Sequence, residues 1–181
     1  MKNYILLFLL FVGLALSLFY TIRHQTEDYD LVGKPVPLFK TATLDGEELN
    51  LTDLVGKKVL LINVWATHCG PCQDEMPVIN SLHRALDPEK FALISIMEDD
   101  RPTTDELRTL LNRFQKKIPL PFKVYHDKGG LIADQFGTYM IPETFLVGLD
   151  GNVAEHYRGA ISDYEKDKIL RRISQLMGTV K

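Results

Sequence analysis

Residues 59–72 read Val59-Leu60-Leu61-Ile62-Asn63-Val64-Trp65-Ala66-Thr67-His68-Cys69-Gly70-Pro71-Cys72, and this stretch decides the fold. The nearly unbroken apolar run at 59–64 suits a strand buried on both faces. Just beyond it stand the only two cysteines of the chain, two residues apart. A strand leading into Cys-x-x-Cys, with Gly-Pro between the thiols, is the arrangement used for reversible dithiol/disulfide chemistry. The spacing puts both sulfurs on the first turn of the helix that follows. There the unpaired backbone N–H groups and the helix dipole favour a thiolate on Cys69. Two cysteines so close restrain almost no loop, so a purely structural bridge explains little. A closed zinc site needs two further ligands, and His24, His68, His83, His126 and His156 form no such pattern. Covalent haem attachment needs His after the second cysteine, where Gln73 stands.

Outward from that stretch, strands alternate with helices. Residues 38–44 and 47–51 flank Asp45-Gly46, read as a two-residue hairpin turn. Residues 51–55 form a short helical turn closed by Gly56. A helix from Gly70 to about Leu86 carries Met76, Ile79, Leu82 and Leu86 on one side, with Pro77 as a kink. Residues 91–97 are the next buried strand, followed by the acidic run Glu98-Asp99-Asp100. Thr103-x-x-Glu106 is a capping box opening a helix with Leu107, Leu110, Leu111 and Phe114. A short strand at 122–125, a short helix at 131–136 and a hairpin of 144–147 with 153–157 around Asp150-Gly151 come next. Ser162-x-x-Glu165 caps a final amphipathic helix. That order implies an α/β sandwich with a mixed sheet.

The N-terminal segment is different. Residues 4–22 contain 19 residues without a charge. As a helix they extend roughly 28 Å, close to a hydrocarbon core. No small-x-small cleavage site follows, so 1–24 reads as an uncleaved signal anchor, with a cleaved signal as the alternative. Residues 25–34 then form a polar linker, and 35–181 the folded domain. Outside 1–24 the chain carries 19 basic and 24 acidic residues, which gives no sign of a nucleic-acid partner.

From residue 32 to residue 177 the pattern resembles the thioredoxin fold and, more narrowly, the membrane-anchored TlpA/ResA/DsbE (CcmG) group of thiol-disulfide oxidoreductases. The residues that carry the resemblance are Gly33-Lys34-Pro35-Val36-Pro37, the hairpin before the first core strand, Asn63-Val64-Trp65-Ala66-Thr67, the Cys69/Cys72 pair, Pro77 and Ile141-Pro142-Glu143-Thr144-Phe145. The implied fold is a central mixed sheet flanked by helices, with an N-terminal β-hairpin extension and one transmembrane helix ahead of it. The group usually has Trp before its first cysteine, where this chain has His68.

The resemblance assigns roles. Cys69 is the expected nucleophile and Cys72 the resolving thiol. Glu75 shares the helix face of Cys72 and is the expected acceptor of its proton; otherwise it is an exposed glutamate favouring the helix dipole. In thioredoxin an Asp on the preceding strand does that work, and Asn63 stands at the matching place. Pro142 is expected in cis, setting the Ile141 backbone beside Cys69 to bind an extended client segment. Glu143 lines the same groove or faces water. His68, if protonated, favours the thiolate and a more oxidising couple, or it merely replaces a flat Trp surface. Trp65 reads as packing, and the acidic run at 98–100 as a solvated loop or a guide for a basic partner.

The expected activity is reduction of disulfides in exported Cys-x-x-Cys proteins, such as an apocytochrome c, by a domain on the extracytoplasmic side of the cytoplasmic membrane. A transmembrane thiol donor returns the pair to the dithiol. No cofactor beyond the Cys69/Cys72 couple and no metal are expected. Gly-Pro between the thiols is shared with thioredoxin, near −270 mV, about 7 kcal/mol below a strong oxidant near −120 mV. Two alternatives remain: an oxidant or isomerase, and a copper-handling assembly factor with Cys69, Cys72 and His68 as ligands.

Overall fold

The apolar run at the heart of the sequence becomes β3 (Val59–Trp65), every residue of which is buried. The computed structural model describes residues 2–27, 30–101 and 103–178. It divides into two compact units, Met1–Leu31 and Val32–Lys181.

In the first unit lies α1 (Lys2–Glu27), 26 residues long. Ile5, Phe8, Phe11, Leu14, Leu16 and Leu18 are 59–69% exposed, so the described side chains of this helix show no sheltered stripe of a core element. The span expected at 4–22 is helical, but the side chains of Tyr4, Leu6, Leu7, Leu9, Thr21 and Ile22 lie outside those described. Among the described residues no helix is long and apolar enough to cross a membrane. The segment read as a linker, 25–34, is divided in the structure. Its first residues continue α1 to Glu27, Asp28 and Tyr29 lie outside the described residues, and Val32 already pairs with Val153.

In the second unit, β3 is the middle of a five-stranded mixed sheet. Its other strands are β4 (Phe91–Met97), β5 (Val124–His126), β6 (Glu143–Val147) and β7 (Val153–Arg158), and the spatial order is β5-β4-β3-β6-β7. β4 runs parallel to β3 and β5 parallel to β4, whereas β6 and β7 join antiparallel. This is the thioredoxin-like arrangement that the resemblance implies. A small separate hairpin, β1 (Lys40–Ala42) with β2 (Glu48–Asn50), precedes it.

The Asp45-Gly46 turn differs from the two-residue reading, and the loop at Asp150-Gly151 is built in the same way. Thr43 N donates to Glu47 O, and Gly148 N to Asn152 O, so each loop has three residues. Gly46 (φ 87°) and Gly151 (φ 79°) close them in the left-handed region, which L side chains avoid.

Side chains alternate across the strands and so give the sheet two distinct faces. One face holds α2 (Gly70–Ala85) and α5 (Asp163–Leu176), whose Ile79, Leu82, Ile169 and Ile173 pack with Leu61, Leu93 and Leu146. On the same face, near the C-terminal end of β3, α3 (Thr104–Lys117) places Leu107 and Phe114 against Trp65, Cys72, Met76 and Met97. The opposite face is an aromatic stack in which Phe136, from α4 (Leu131–Phe136), sits between Phe39 and Phe145.

Pro77 lies within α2 and does not end it. Both predicted capping boxes form, at Thr103/Glu106 and Ser162/Glu165. Trp65 is a packing residue: it is fully buried, donates Nε1–H to Ser95 Oγ at 2.8 Å and lies 5.0 Å from the Phe114 ring.

Candidate active site

Cys69 and Cys72 are joined as a disulfide, with their Cα atoms 5.2 Å apart. Cys69 is the N-cap of α2, not part of its first turn, and Cys72 N donates to Cys69 Sγ at 3.1 Å. That donor and the helix end supply the positive potential a thiolate needs. Pro71 costs nothing here, because an N–H in the first turn has no helical partner anyway. The two sulfurs are unequal: Cys72 is fully buried, whereas Cys69 is partly open to solvent. Solvent and a bulky partner therefore reach Cys69 and not Cys72.

Glu75, one turn beyond Cys72, is fully buried. An exposed first-turn glutamate is thereby ruled out. Its Oε1 accepts from Asn63 Nδ2 at 2.8 Å and its Oε2 from Ile161 N at 3.0 Å. Burial pushes this carboxyl from the usual 4.5 up to about 7, and the two neutral donors only partly restrain it. Asn63 is itself placed by Thr144 Oγ1, 2.9 Å from its Nδ2 and across the β3–β6 ladder. The amide of Asn63 thus holds a helix carboxylate in place.

The Ile141–Pro142 bond is cis. Ile141 O lies 3.7 Å from Cys69 Sγ, so the sulfur stands beside the backbone that leads into β6. Tyr139 (74% exposed) and Met140 (59% exposed) stand just before Ile141.

Two sequence readings change in the structure. Glu143 neither lines the groove nor faces water: it is buried on the opposite face of the sheet, with Oε2 2.6 Å from His156 Nε2. The register explains this, because Thr144 aligns with Asn63 and the flanking Glu143 must then point the other way. His156 stacks on Phe145 with ring centroids 4.1 Å apart. Next, Asp99 is not part of a solvated loop. It is buried, accepts from Thr67 N (2.6 Å) and Thr67 Oγ1 (2.8 Å), and meets His68 Nδ1 at 3.1 Å. His68 is 67% exposed at the side chain, and its ring is set by Asp99. Half-burial raises the Glu98 carboxyl above its ordinary range, Asp127 and Asp99 add to the rise, and His68 opposes it.

Thr144 and His156 were not singled out as functional residues in the sequence, Asn63 was noted only as standing where thioredoxin has an Asp, and Asp99 only as part of an acidic run. The one available signal was the 153–157 hairpin register, which puts His156 on the same face as Glu143. Among the described residues no group of three or more His, Cys, Asp or Glu is arranged to hold a metal ion.

A sulfur pair set at a helix start, across from a cis-proline strand, makes this a thioredoxin-fold protein built for thiol–disulfide exchange. The family model described as AhpC/TSA matches residues 32–156, and the chain belongs to that family. The thiol-disulfide oxidoreductase ResA of Bacillus cereus is 31% identical over 179 residues, covering 96% of this chain and 99% of its own. Among solved structures, a thioredoxin-family thiol:disulfide interchange protein from Chlorobium tepidum superposes with a TM-score of 0.64 at 23% identity, over 80% of this chain and 96% of that one. A secreted Mycobacterium tuberculosis disulfide oxidoreductase homologous to E. coli DsbE gives 0.61 at 21%, over 76% and 95%. This chain is a thiol-disulfide oxidoreductase of the ResA/DsbE kind, with Cys69–Cys72 as its disulfide.

Proposed function

We propose that the chain reduces disulfides in exported Cys-x-x-Cys proteins, an apocytochrome c being the leading client, from the outer side of the cytoplasmic membrane. The observation that carries the reading is the pairing of an accessible sulfur with a buried one beside a carboxyl whose affinity for protons is tuned to neutrality. In the dithiol state the Cys69 thiolate attacks one client sulfur, and the client's other sulfur leaves as a thiolate that takes up a proton. Glu75 accepts the Cys72 proton, and the Cys72 thiolate attacks Cys69 Sγ. That step forms the Cys69–Cys72 bond, breaks the mixed disulfide and frees the second client thiol. Two electrons have then passed from chain to client; the first client thiolate takes its proton from water, where the Cys69 thiol lost its own, and the second takes the one held by Glu75. Ile141 holds the client backbone beside Cys69, and Pro142 shapes that edge. His68, one residue ahead of Cys69, borders the approach.

Residues 4–22 anchor the chain, and 35–181 are the catalytic domain. The support is the 19-residue uncharged run, which is helical in α1. A membrane thiol donor must reduce the spent disulfide, since the chain holds no other cysteine. The Gly-Pro dipeptide supports the reducing direction.

Trapping tests this. Cys72→Ser in the native membrane is expected to accumulate mixed disulfides between Cys69 and exported Cys-x-x-Cys polypeptides. An empty trap, together with a wild-type couple that exchanges with no protein disulfide, overturns the reading. A measured Cys69–Cys72 potential above about −150 mV would instead make the chain an oxidant.

A further inference from the structure

Beside Cys69, on the side away from Ile141, a cleft of about 170 Å³ runs between the start of α2 and the last two turns of α3. Its walls include Thr67 and His68 from the loop before Cys69, and Leu110, Phe114 and Ile118 from α3 and its end. Arg113 and Lys117 stand on its rim, four residues apart and therefore on one face of α3. Neither cation forms an ion pair among the described residues, whereas Arg108 on the same helix is held by both Asp45 and Asp105. Asp105 and Glu106, which share a second cavity with Arg113, are engaged elsewhere, Asp105 with Arg108 and Glu106 with Thr103 N. The acids at the ends of β4 and β5 are engaged or sheltered too. Asp99 and Asp127 are buried and committed, to Thr67 and His68 and to the backbone of Ile132 and Ala133 respectively, and Glu98 is half-buried.

On the other side of Cys69, the exposed surface around Ile141 is apolar, through Tyr139 and Met140. A client segment crossing Cys69 thus meets an uncharged platform on one side and a free cationic rim above an apolar floor on the other. We propose that this α3 cleft is a client subsite that selects polypeptides with acidic side chains next to the cysteine under attack. Arg113 and Lys117 are its specificity-determining residues. The inference rests on the reading of the chain as a reductant of protein disulfides.

The test uses the full chain in detergent, pre-reduced, and three oxidised peptides with an internal Cys-x-x-Cys disulfide. The peptides differ only in the two residues flanking the first cysteine: Glu-Glu, Gln-Gln or Lys-Lys. Single-turnover reduction is expected to be roughly tenfold faster for the Glu-Glu peptide than for the Lys-Lys peptide at low salt, because two exposed charge pairs act together. The ratio is expected to shrink towards one at high ionic strength. It should also collapse in Arg113→Gln/Lys117→Gln but persist in Lys116→Gln, a charge loss outside the cleft. Equal rates for all three peptides, or a ratio that survives the double variant, overturns the subsite while leaving the reductant reading intact. A chain that reduces none of the peptides overturns both. If the double variant loses only its co-sedimentation with phosphatidylglycerol vesicles and keeps the peptide ratio, the rim is a lipid contact and the proposal fails.

Discussion

Two glutamates lie fully inside this domain, one on each face of the same sheet, and their surroundings differ in kind. Glu75 meets only neutral donors, the Asn63 amide and the Ile161 N–H, and its carboxyl is pushed up to about 7. Glu143 meets an imidazole at 2.6 Å, a group able to carry the opposite charge. Burial alone therefore does not make a proton carrier. A carboxyl becomes one when it is desolvated without a counter-charge, because each of its two protonation states is then within reach. The α2 face sets a raised carboxyl one turn from a buried sulfur, and the aromatic face holds a carboxyl against an imidazole.

The sharpest way to break this contrast is Glu75→Gln. Pre-steady-state kinetics are expected to show resolution of the mixed disulfide slowed by about 10²- to 10⁴-fold, with first attack by Cys69 little changed. The pH dependence of that step near 7 should vanish as well. The same carboxyl governs stability. Its native affinity for the proton exceeds the unfolded one, so its contribution is fully present below about 4.5 and is lost as pH rises through about 7. Urea titrations of the oxidised chain should show the loss, up to about 3 kcal/mol, and Glu75→Gln should remove it.

On the opposite face, His156→Leu leaves a buried carboxylate alone and is expected to cost about 3–5 kcal/mol by thermal or denaturant unfolding. Glu143→Leu combined with His156→Phe should recover most of that. A double variant no better than the single one would show that the pair is not ionic. Asp99→Asn, which weakens the acceptors for Thr67 and His68, is expected to cost about 1–3 kcal/mol. Smallest is Thr103→Ala, a lost N-cap on α3 worth about 1 kcal/mol.

Features that depend on neighbours in sequence were readable from sequence. The apolar runs gave β3 and β4, and Thr103/Glu106 and Ser162/Glu165 marked helix starts. The sulfur pair marked the site. What failed depends on distant partners. Glu98-Asp99-Asp100 looks solvated until Thr67, 32 residues earlier, places its N–H on Asp99. Glu143 looks like a groove residue until the β3 register turns it away. Both Asp-Gly turns were located correctly, but the one at Asp45-Gly46 was read one residue short, because loop length follows from the strand register and not from the dipeptide. The His68 side chain was open to two readings, and only its distance to Asp99 shows what orients it.

The shelter around Cys72 has a practical side. A bulky alkylating reagent added to the folded, reduced enzyme should modify one thiol, and the second should react only after denaturant is added. Titrations that count two equivalents under native conditions would therefore be counting opened molecules.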